Sequence, residues 1–390
     1  MQKTDKLYYK DPYLKSFSAN IVDQQEVDGF YRVLLDRTAF YPEGGGQPAD
    51  KGTLNDIPVI KVEINDSLIY HYISSPLEDT RVSGQIDWAF RFSNMQQHTA
   101  QHVLSKIALE YGYNTVSFHI GTETVTIDLD TPNLSKEELK EIETRTNEIL
   151  WSNLPISIDI YKEVPEGIRS KMEGHSDYIR VVSIADFDQS TCGGTHLSHT
   201  GQAGMLFISK QEKMRGNVRI HFLVGHKAYI YAKNNEDVLI SLQAILTTGL
   251  EDLTPRVSTL LQDNKKLSKE ILSLEEKLSS HILDELILKA TQKDSLKLIR
   301  ETVVYSPNLL EQILRGLQEK EDVLAIFSRD TGEIYAASSK NLQVDLGKAL
   351  KESLTIHQGK GGGSKTSARG MIEPDKLDQV INLLLSSYGL

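Results

Sequence analysis

Between residue 1 and about residue 91 the apolar positions come in short alternating runs, such as Tyr31-Arg32-Val33-Leu34-Leu35, Val59-Ile60-Lys61-Val62 and Leu68-Ile69-Tyr70-His71-Tyr72-Ile73, set apart by turn residues. Period-two alternation turns one face inward and the other outward, so this stretch predicts a small antiparallel β-barrel. The rhythm then changes. Met95, Val103, Leu104 and Ile107 recur at helical spacing, and the alternating run Thr124-Val125-Thr126-Ile127-Asp128-Leu129 follows. A helix rich in Glu and Lys starts at Ser135, expected to lie exposed across a sheet, and strands are expected at Ile156–Ile160, Tyr178–Val182 and Val218–Leu223. Residues 92–232 therefore read as an α+β domain.

Beyond residue 233 the pattern is helical. Val257, Leu260, Asn264, Leu267, Ile271, Leu274 and Leu278 alternate spacings of three and four, a heptad seam, with Pro255 near its start where proline is tolerated. Val238, Leu242, Ile245 and Leu246, before Gly249, offer a second arm of a helical hairpin. The 257–278 seam closes either within one chain or between the two chains of a homodimer, and the pattern does not choose. Residues 233–294 form this helical or coiled-coil segment, and 295–390 an α/β unit with a strand at Val323–Phe327 and helices near 309–319, 343–354 and 374–387. The whole is a multidomain α+β chain.

Composition narrows the setting. At 390 residues the chain is too long for one ordinary core, and 39% hydrophobic content suffices for several. One cysteine excludes an intrachain disulfide framework and suits a reducing cytosol. No apolar core of signal-peptide length follows the N-terminus and no run of eighteen apolar residues occurs, so a cytoplasmic protein with no membrane partner is expected. A formal charge of −11 argues against nucleic-acid binding as a whole, because phosphate neutralisation supplies most of such affinity. Its distribution is uneven. Lys210, Lys213, Arg215, Arg219 and Lys227 face only Glu212 between 209 and 227, and Lys340, Lys348, Lys351, Lys360, Lys365 and Arg369 face only Asp345 and Glu352 between 340 and 370. On charge alone both stretches are ordinary solvated faces.

The chemistry gathers in two short stretches. His98 and His102 are four apart on the predicted helix and leave one face; Thr191-Cys192-Gly193-Gly194-Thr195-His196 adds a thiol and an imidazole on a loop kept tight by two glycines. Alone, each is weak. Together, and with the only cysteine in the second, His98, His102, Cys192 and His196 form a tetrahedral ligand set of mixed sulfur and nitrogen suited to one Zn²⁺. Near the C-terminus Gly359-Lys360-Gly361-Gly362-Gly363-Ser364-Lys365-Thr366 approaches a phosphate-binding P-loop but has Ser364 where the second glycine belongs, so no nucleotide cofactor is expected.

His-Thr-Ala-Gln-His followed by Cys-Gly-Gly-Thr-His, with Arg180-Val181-Val182 before the cysteine and Gly201-Gln202-Ala203-Gly204 after the histidine, resembles the editing domain of alanyl-tRNA synthetases and its free-standing AlaX relatives. Phe40-Tyr41-Pro42-Glu43-Gly44-Gly45-Gly46-Gln47-Pro48 resembles that family's N-terminal barrel. The stretch around Gly359 to Gly370 resembles the glycine-rich loop of the synthetase's C-terminal DHH-associated domain. With all three parts present the chain is similar to the long form. Threonyl-tRNA synthetases carry related editing domains, but the Cys-Gly-Gly-Thr-His wording favours the alanyl branch. The resemblance implies that Gly44, Gly45, Gly46 and Gln47 lie against the site and shape it around the aminoacyl group. It also implies that Lys360, Lys365 and Arg369 contact tRNA backbone, and that the segment around His119 contributes to the pocket.

The implied activity is trans-editing: hydrolysis of the ester joining serine, and by extension glycine, to tRNA for alanine. An alanine pocket rejects an isostere with one extra hydroxyl by only about 10²-fold, so a second site must read that hydroxyl. Thr126 and Thr124, on a strand expected to face the metal helix, are the hydroxyl readers this reading needs, with Gln101 and His119 as further candidates at the catalytic site. As β-branched residues the two threonines are equally ordinary strand formers. Four protein ligands describe a closed site, so zinc either positions substrate or gains a fifth ligand. No ATP-dependent activating region precedes the barrel, and no aminoacylation is expected. The competing reading is a zinc-stabilised tRNA-binding or protein-interaction module without catalysis. Turnover of seryl-tRNA separates the two.

Overall fold

The computed structural model describes residues 3–170 and 179–390; Tyr178, expected to open a strand, lies outside the described residues. The chain divides into two compact units, Met1–Ser241 and Leu242–Leu390.

In the first unit six antiparallel strands close on themselves in the order Ser16–Val27, Phe30–Leu35, Leu68–Ile73, Ile57–Asn65, Gly52–Leu54, Arg81–Ile86. Ser16–Val27 makes closure geometrically feasible. Its first half pairs with Arg81–Ile86 and its second with Phe30–Leu35, and the register shifts between Ile21 and Asp23, where the strand bends from one partner to the other. Val33, Leu35, Leu54, Ile69 and Ile73 fill the interior.

Asp87 caps the next helix, Trp88–Glu110, by accepting from the Phe90 N–H. This helix is buried on most of its surface. It packs against the helix Lys136–Trp151, against the four-stranded antiparallel sheet Leu206–Lys213, Val218–Val224, Val125–Leu129, Thr115–Ile120, and against Asp188–Thr191 of a second, three-stranded sheet. Helix Lys136–Trp151 starts with a Ser135/Glu138 capping box. It is not exposed all round: Ile142, Thr146, Asn147 and Leu150 are buried, and Asn147 trades hydrogen bonds with the Leu206 backbone.

A fully buried ion pair ties the strand ring to the central helix. Arg91 grips Asp50 through two nitrogens and donates to the carbonyls of Ala39 and Pro12. Removing one partner of such a pair costs about 3–5 kcal/mol, because the other charge is left buried alone. The pair fixes where residues 40–50 stand relative to the helix, which matters below.

In the second unit the helix Leu253–Lys289 runs for 37 residues. Its seam positions Val257, Leu260, Leu267, Ile271, Leu274 and Leu278 are exposed, whereas Ile282, Leu283 and Leu286 farther along pack into the terminal core. That core lies on one face of a six-stranded sheet, Thr291–Lys293, Leu296–Thr302, Val323–Ser328, Glu333–Ser338, Ser367–Met371, Lys360–Gly363, with helix Pro307–Gln318, and a second core on the other face holds helices Leu346–Ile356 and Leu377–Ser386. The glycine-rich stretch is not an open loop. Lys360–Gly363 pairs with Ser367–Met371 as a hairpin beneath Leu346–Ile356, and a Cβ on Gly361, Gly363 or Gly370 would lie 2.1–2.5 Å from backbone or from Leu354. These glycines exist to let helix and hairpin approach closely.

Candidate metal centre

His98 and His102 leave one face of the central helix, and the loop after Asp188–Thr191 brings Cys192 and His196 against them. One ligand atom from each of the four lies within 4.8 Å of all the others. Nε2 of His98 and of His196 stand 3.3 and 3.2 Å from Cys192 Sγ. Tetrahedral zinc with nitrogen and sulfur at its usual bond lengths needs ligand atoms roughly 3.3–3.8 Å apart, so small adjustments suffice.

The strongest sign of a metal site is what the other ring nitrogens do. His98 Nδ1 is 2.9 Å from Gln47 Oε1, His102 Nδ1 is 2.8 Å from Ser190 Oγ, and His196 Nδ1 is 3.3 Å from Thr99 Oγ1. With each Nδ1–H donating outward, His98 and His196 turn Nε2 to the Cys192 sulfur, the outer-shell arrangement that orients metal-binding imidazoles. The partners are themselves held. Gln47 donates through Nε2 to Thr195 Oγ1 at 2.9 Å and accepts from the Thr195 N–H at 3.1 Å, while Thr99 Oγ1 accepts from Leu197 N–H.

Electrostatics agree. Burial pushes His98 down to about 3, with the Arg180 charge adding to the effect, and His196 falls well below the ordinary range for the same first reason. Both rings are neutral ligands at any physiological pH. Loss of hydration pushes the Cys192 thiol up, against the Gly194 N–H at 3.4 Å from its sulfur and the Arg180 charge. Three imidazoles and one thiol fit Zn²⁺ as a four-ligand set.

Glycines make the approach possible. Gly45 and Gly46 have φ of +58° and +81°, closing a tight turn in which Gly44 and Gln47 exchange backbone hydrogen bonds. A Cβ on Gly46 would sit 2.5 Å from the Phe118 carbonyl, and one on Gly194 only 2.1 Å from His98 Cε1. The turn therefore docks on strand Thr115–Ile120 and delivers Gln47 to His98. Gln47 is wholly buried, its side-chain oxygen taken up by His98 Nδ1 and the Thr195 N–H.

The four-ligand cluster stands in the wall between two cavities of about 1190 and 690 Å³, and Gly45, His98, Cys192 and Gly193 line both. Gly44 lines the larger. Gln101 lines the smaller, where its Nε2 donates to Ser105 Oγ at 2.7 Å and Ser105 in turn bonds Thr115 at 2.7 Å. Thr115, Ser117, Ser190 and Thr191 complete a hydroxyl-rich lining.

Thr124, Thr126 and His119 line neither cavity. The expectation that their strand turns its threonines to the metal helix is corrected by packing. Val125, Ile127 and Leu129 share the core with that helix, so Thr126 takes the opposite face, paired across the sheet with His119 and His221. His119 is exposed. Lys360 and Lys365 are exposed on the C-terminal hairpin, and Arg369 pairs with Glu333 at 3.3 Å over the Tyr335 ring. Two of the five basic residues in the 209–227 run are ion-paired: Arg219 forms a two-pronged pair with Asp128, and Lys210 pairs with Glu212.

Sequence reasoning missed Ser190 and Thr99, and named Gln47 for the aminoacyl group without its contact to His98. Arg180 was quoted only as part of the resemblance, with no role of its own.

The model of the threonyl and alanyl tRNA synthetase second additional domain matches residues 179–221, the stretch that holds Cys192 and His196. Models of class II (A) tRNA synthetases and of the DHHA1 domain match 2–90 and 299–388. The alanyl-tRNA editing protein AlaX-L of Pyrococcus horikoshii is 30% identical, over 98% of this chain and 97% of that protein. The alanine–tRNA ligase of Archaeoglobus fulgidus is 32% identical over 99% of this chain but 44% of its own length. An alanyl-tRNA editing protein of Bos taurus is 32% identical over 71% of this chain and 67% of its own. The chain belongs to the alanyl-tRNA editing protein family.

Proposed function

We propose that the protein is a trans-acting aminoacyl-tRNA deacylase that hydrolyses serine, and to a lesser degree glycine, from tRNA for alanine, with one Zn²⁺ held by His98, His102, Cys192 and His196. The observation that carries this reading is the placement of that ligand set between two cavities, each histidine steered by an outer-shell partner. When bound, Zn²⁺ supplies a Lewis acid beside the scissile ester. The chain's own residues do the rest. Gln47, Ser190 and Thr99 hold the three imidazoles in place, and Gly193 and Gly194 keep the loop flat against them.

The smaller cavity suits the aminoacyl group. Its Gln101 has Nε2 committed to Ser105, which leaves Oε1 as an acceptor for the serine hydroxyl. Alanine would leave that acceptor unmatched, the kind of penalty that separates substrates differing by one hydroxyl. Exposed Lys360 and Lys365, with Arg369, would contact tRNA backbone, and reversing the two lysines to Glu should weaken tRNA binding and flatten its salt dependence. The exposed 257–278 seam is where a second copy would pair. Among the described residues no helix is long and apolar enough to cross a membrane, in keeping with the cytoplasmic setting that translation editing requires.

The deciding experiment measures deacylation of serine-charged against alanine-charged tRNA for alanine by the full chain. Rapid loss of serine with slow loss of alanine is expected. Zinc binding and tRNA binding without turnover of either ester would instead identify a binding module.

A further inference from the structure

The hydroxyls that line the smaller cavity are not equivalent. Ser117 gives its proton to Asp128 Oδ2 at 2.6 Å, Thr191 donates to Ser170 at 3.2 Å, and Ser190 serves His102. Ser105 and Thr115 remain, and the bonding between them has one direction. Ser105 is 1% exposed and accepts from Gln101 Nε2 at 2.7 Å, so its single proton needs an acceptor elsewhere. Thr115 Oγ1, at 2.7 Å, is that acceptor. The Thr115 hydroxyl therefore receives a proton from behind and keeps its own for the cavity, while Gln101 keeps Oε1. A donor and an acceptor stand at the two ends of one chain, joined by a single buried hydroxyl.

The backbone is bent to put Thr115 there. Along the pairing of Thr115–Ile120 with Val125–Leu129, Phe118 opposes Ile127 and Ser117 opposes Asp128, but Leu129 opposes Thr115, so Val116 is an extra residue in its strand. Plain alternation from Phe118 would aim Val116 at the central helix. With the bulge Val116 is 54% exposed, and Thr115 shares the helix-facing side of the sheet with the core residue Leu129. A bulge gives up ladder pairing to re-aim a side chain, and here the side chain it re-aims is a hydroxyl.

We propose that Thr115 is a specificity-determining residue of the smaller cavity, donating to the hydroxyl of a seryl group whose own proton goes to Gln101 Oε1. Serine's side-chain oxygen, donor and acceptor at once, answers both ends of the chain. Alanine and glycine answer neither, so the pair sorts serine from both, and any hydrolysis of glycine owes nothing to it. The assignment rests on the deacylase reading above, which puts the aminoacyl group in this cavity.

The test gives the zinc-loaded full chain tRNA for alanine carrying serine, glycine or alanine, first as the natural esters in single-turnover hydrolysis and then through a non-hydrolysable 3′-amide in binding titrations. Thr115→Val keeps the strand shape and removes the donor. It should slow serine hydrolysis about 10–100-fold and weaken the seryl amide to the same degree, the worth of one buried group left unmatched, while the glycine and alanine values and the zinc content stay within about twofold. Thr115→Ser should keep most of the serine rate. Ser105→Ala should cost serine less than Thr115→Val, since the donor stays but is no longer aimed. Equal losses for all three amino acids, loss of zinc, or a serine rate that Thr115→Val leaves unchanged each overturn the assignment, as does an unaltered chain that favours serine neither in turnover nor in binding. If the unaltered chain hydrolyses no ester yet prefers the seryl amide, and Thr115→Val erases that preference, the deacylase reading falls and the serine-reading cavity stands.

Discussion

His71 and His98 are both buried, and burial keeps both rings neutral, His71 held down to about 4 and His98 to about 3. Their surroundings differ in one respect. His71 uses both nitrogens inside the strand ring, Nδ1 toward the Val33 carbonyl at 3.3 Å and Nε2 toward Thr38 Oγ1 at 2.8 Å, where the Thr38 hydroxyl also accepts from the Phe40 N–H. His98 gives Nδ1 to Gln47 and turns Nε2 to a sulfur and two more imidazoles. A buried histidine with both nitrogens answered inside the strand ring is part of a core; one whose Nε2 meets a thiol beside two more imidazoles has the setting of a metal ligand.

The largest effect should come from breaking the ligand set. Cys192→Ala should drop zinc from about one per chain to near zero and slow seryl-tRNA hydrolysis by about 10³-fold or more, since a bound metal supplies several kcal/mol of charge stabilisation. Metal analysis with single-turnover deacylation checks it. The counterpart at His71 is acid sensitivity. A ring whose pKa is lowered on folding stabilises the fold above its ordinary value of 6.5 and loses that contribution as pH falls toward 4, about 3 kcal/mol in all. Denaturant unfolding of the zinc-free chain and of His71→Gln between pH 7 and 4 should show the unaltered chain losing stability faster; parallel curves would show that His71 is not the buried base described.

Smaller effects sharpen the contrast. Ser190→Ala removes the partner of His102 Nδ1 and should weaken zinc affinity about 10–100-fold while leaving the fold intact, read by competition with a chromogenic chelator. No comparable metal effect is expected from Thr38→Val, which removes the partner of His71. Within the smaller cavity, Gln101→Leu should narrow discrimination between seryl- and alanyl-tRNA by about 1–3 kcal/mol through slower serine hydrolysis. Thr126→Val, on the far face of its strand, should move neither rate by more than about 0.5 kcal/mol; a selective loss for serine there would return the hydroxyl reader to that strand.

The four-residue cluster was readable from sequence alone, because the chemistry is local: a four-residue step fixes two imidazoles on one helical face, and a short loop with two glycines carries a thiol and an imidazole together. The helix itself and the strands Val125–Leu129 and Val323–Ser328 were equally plain from their periodicity. Tertiary structure alone decided which face of an alternating strand meets the site. Both faces of Thr124–Leu129 look acceptable in sequence, and the larger apolar Val125, Ile127 and Leu129 claimed the core, turning Thr126 away. It also decided what each glycine-rich stretch is for. One closes a turn that carries Gln47 to a ligand, and the other lets a helix settle on a hairpin, since a missing Cβ shows its purpose only when the atom it would strike is in place. The aim of Thr115 belongs to the same class, for a bulge is defined only against the partner strand, and the hydroxyl it turns inward finds its place only when Ser105 on the helix is there to meet it.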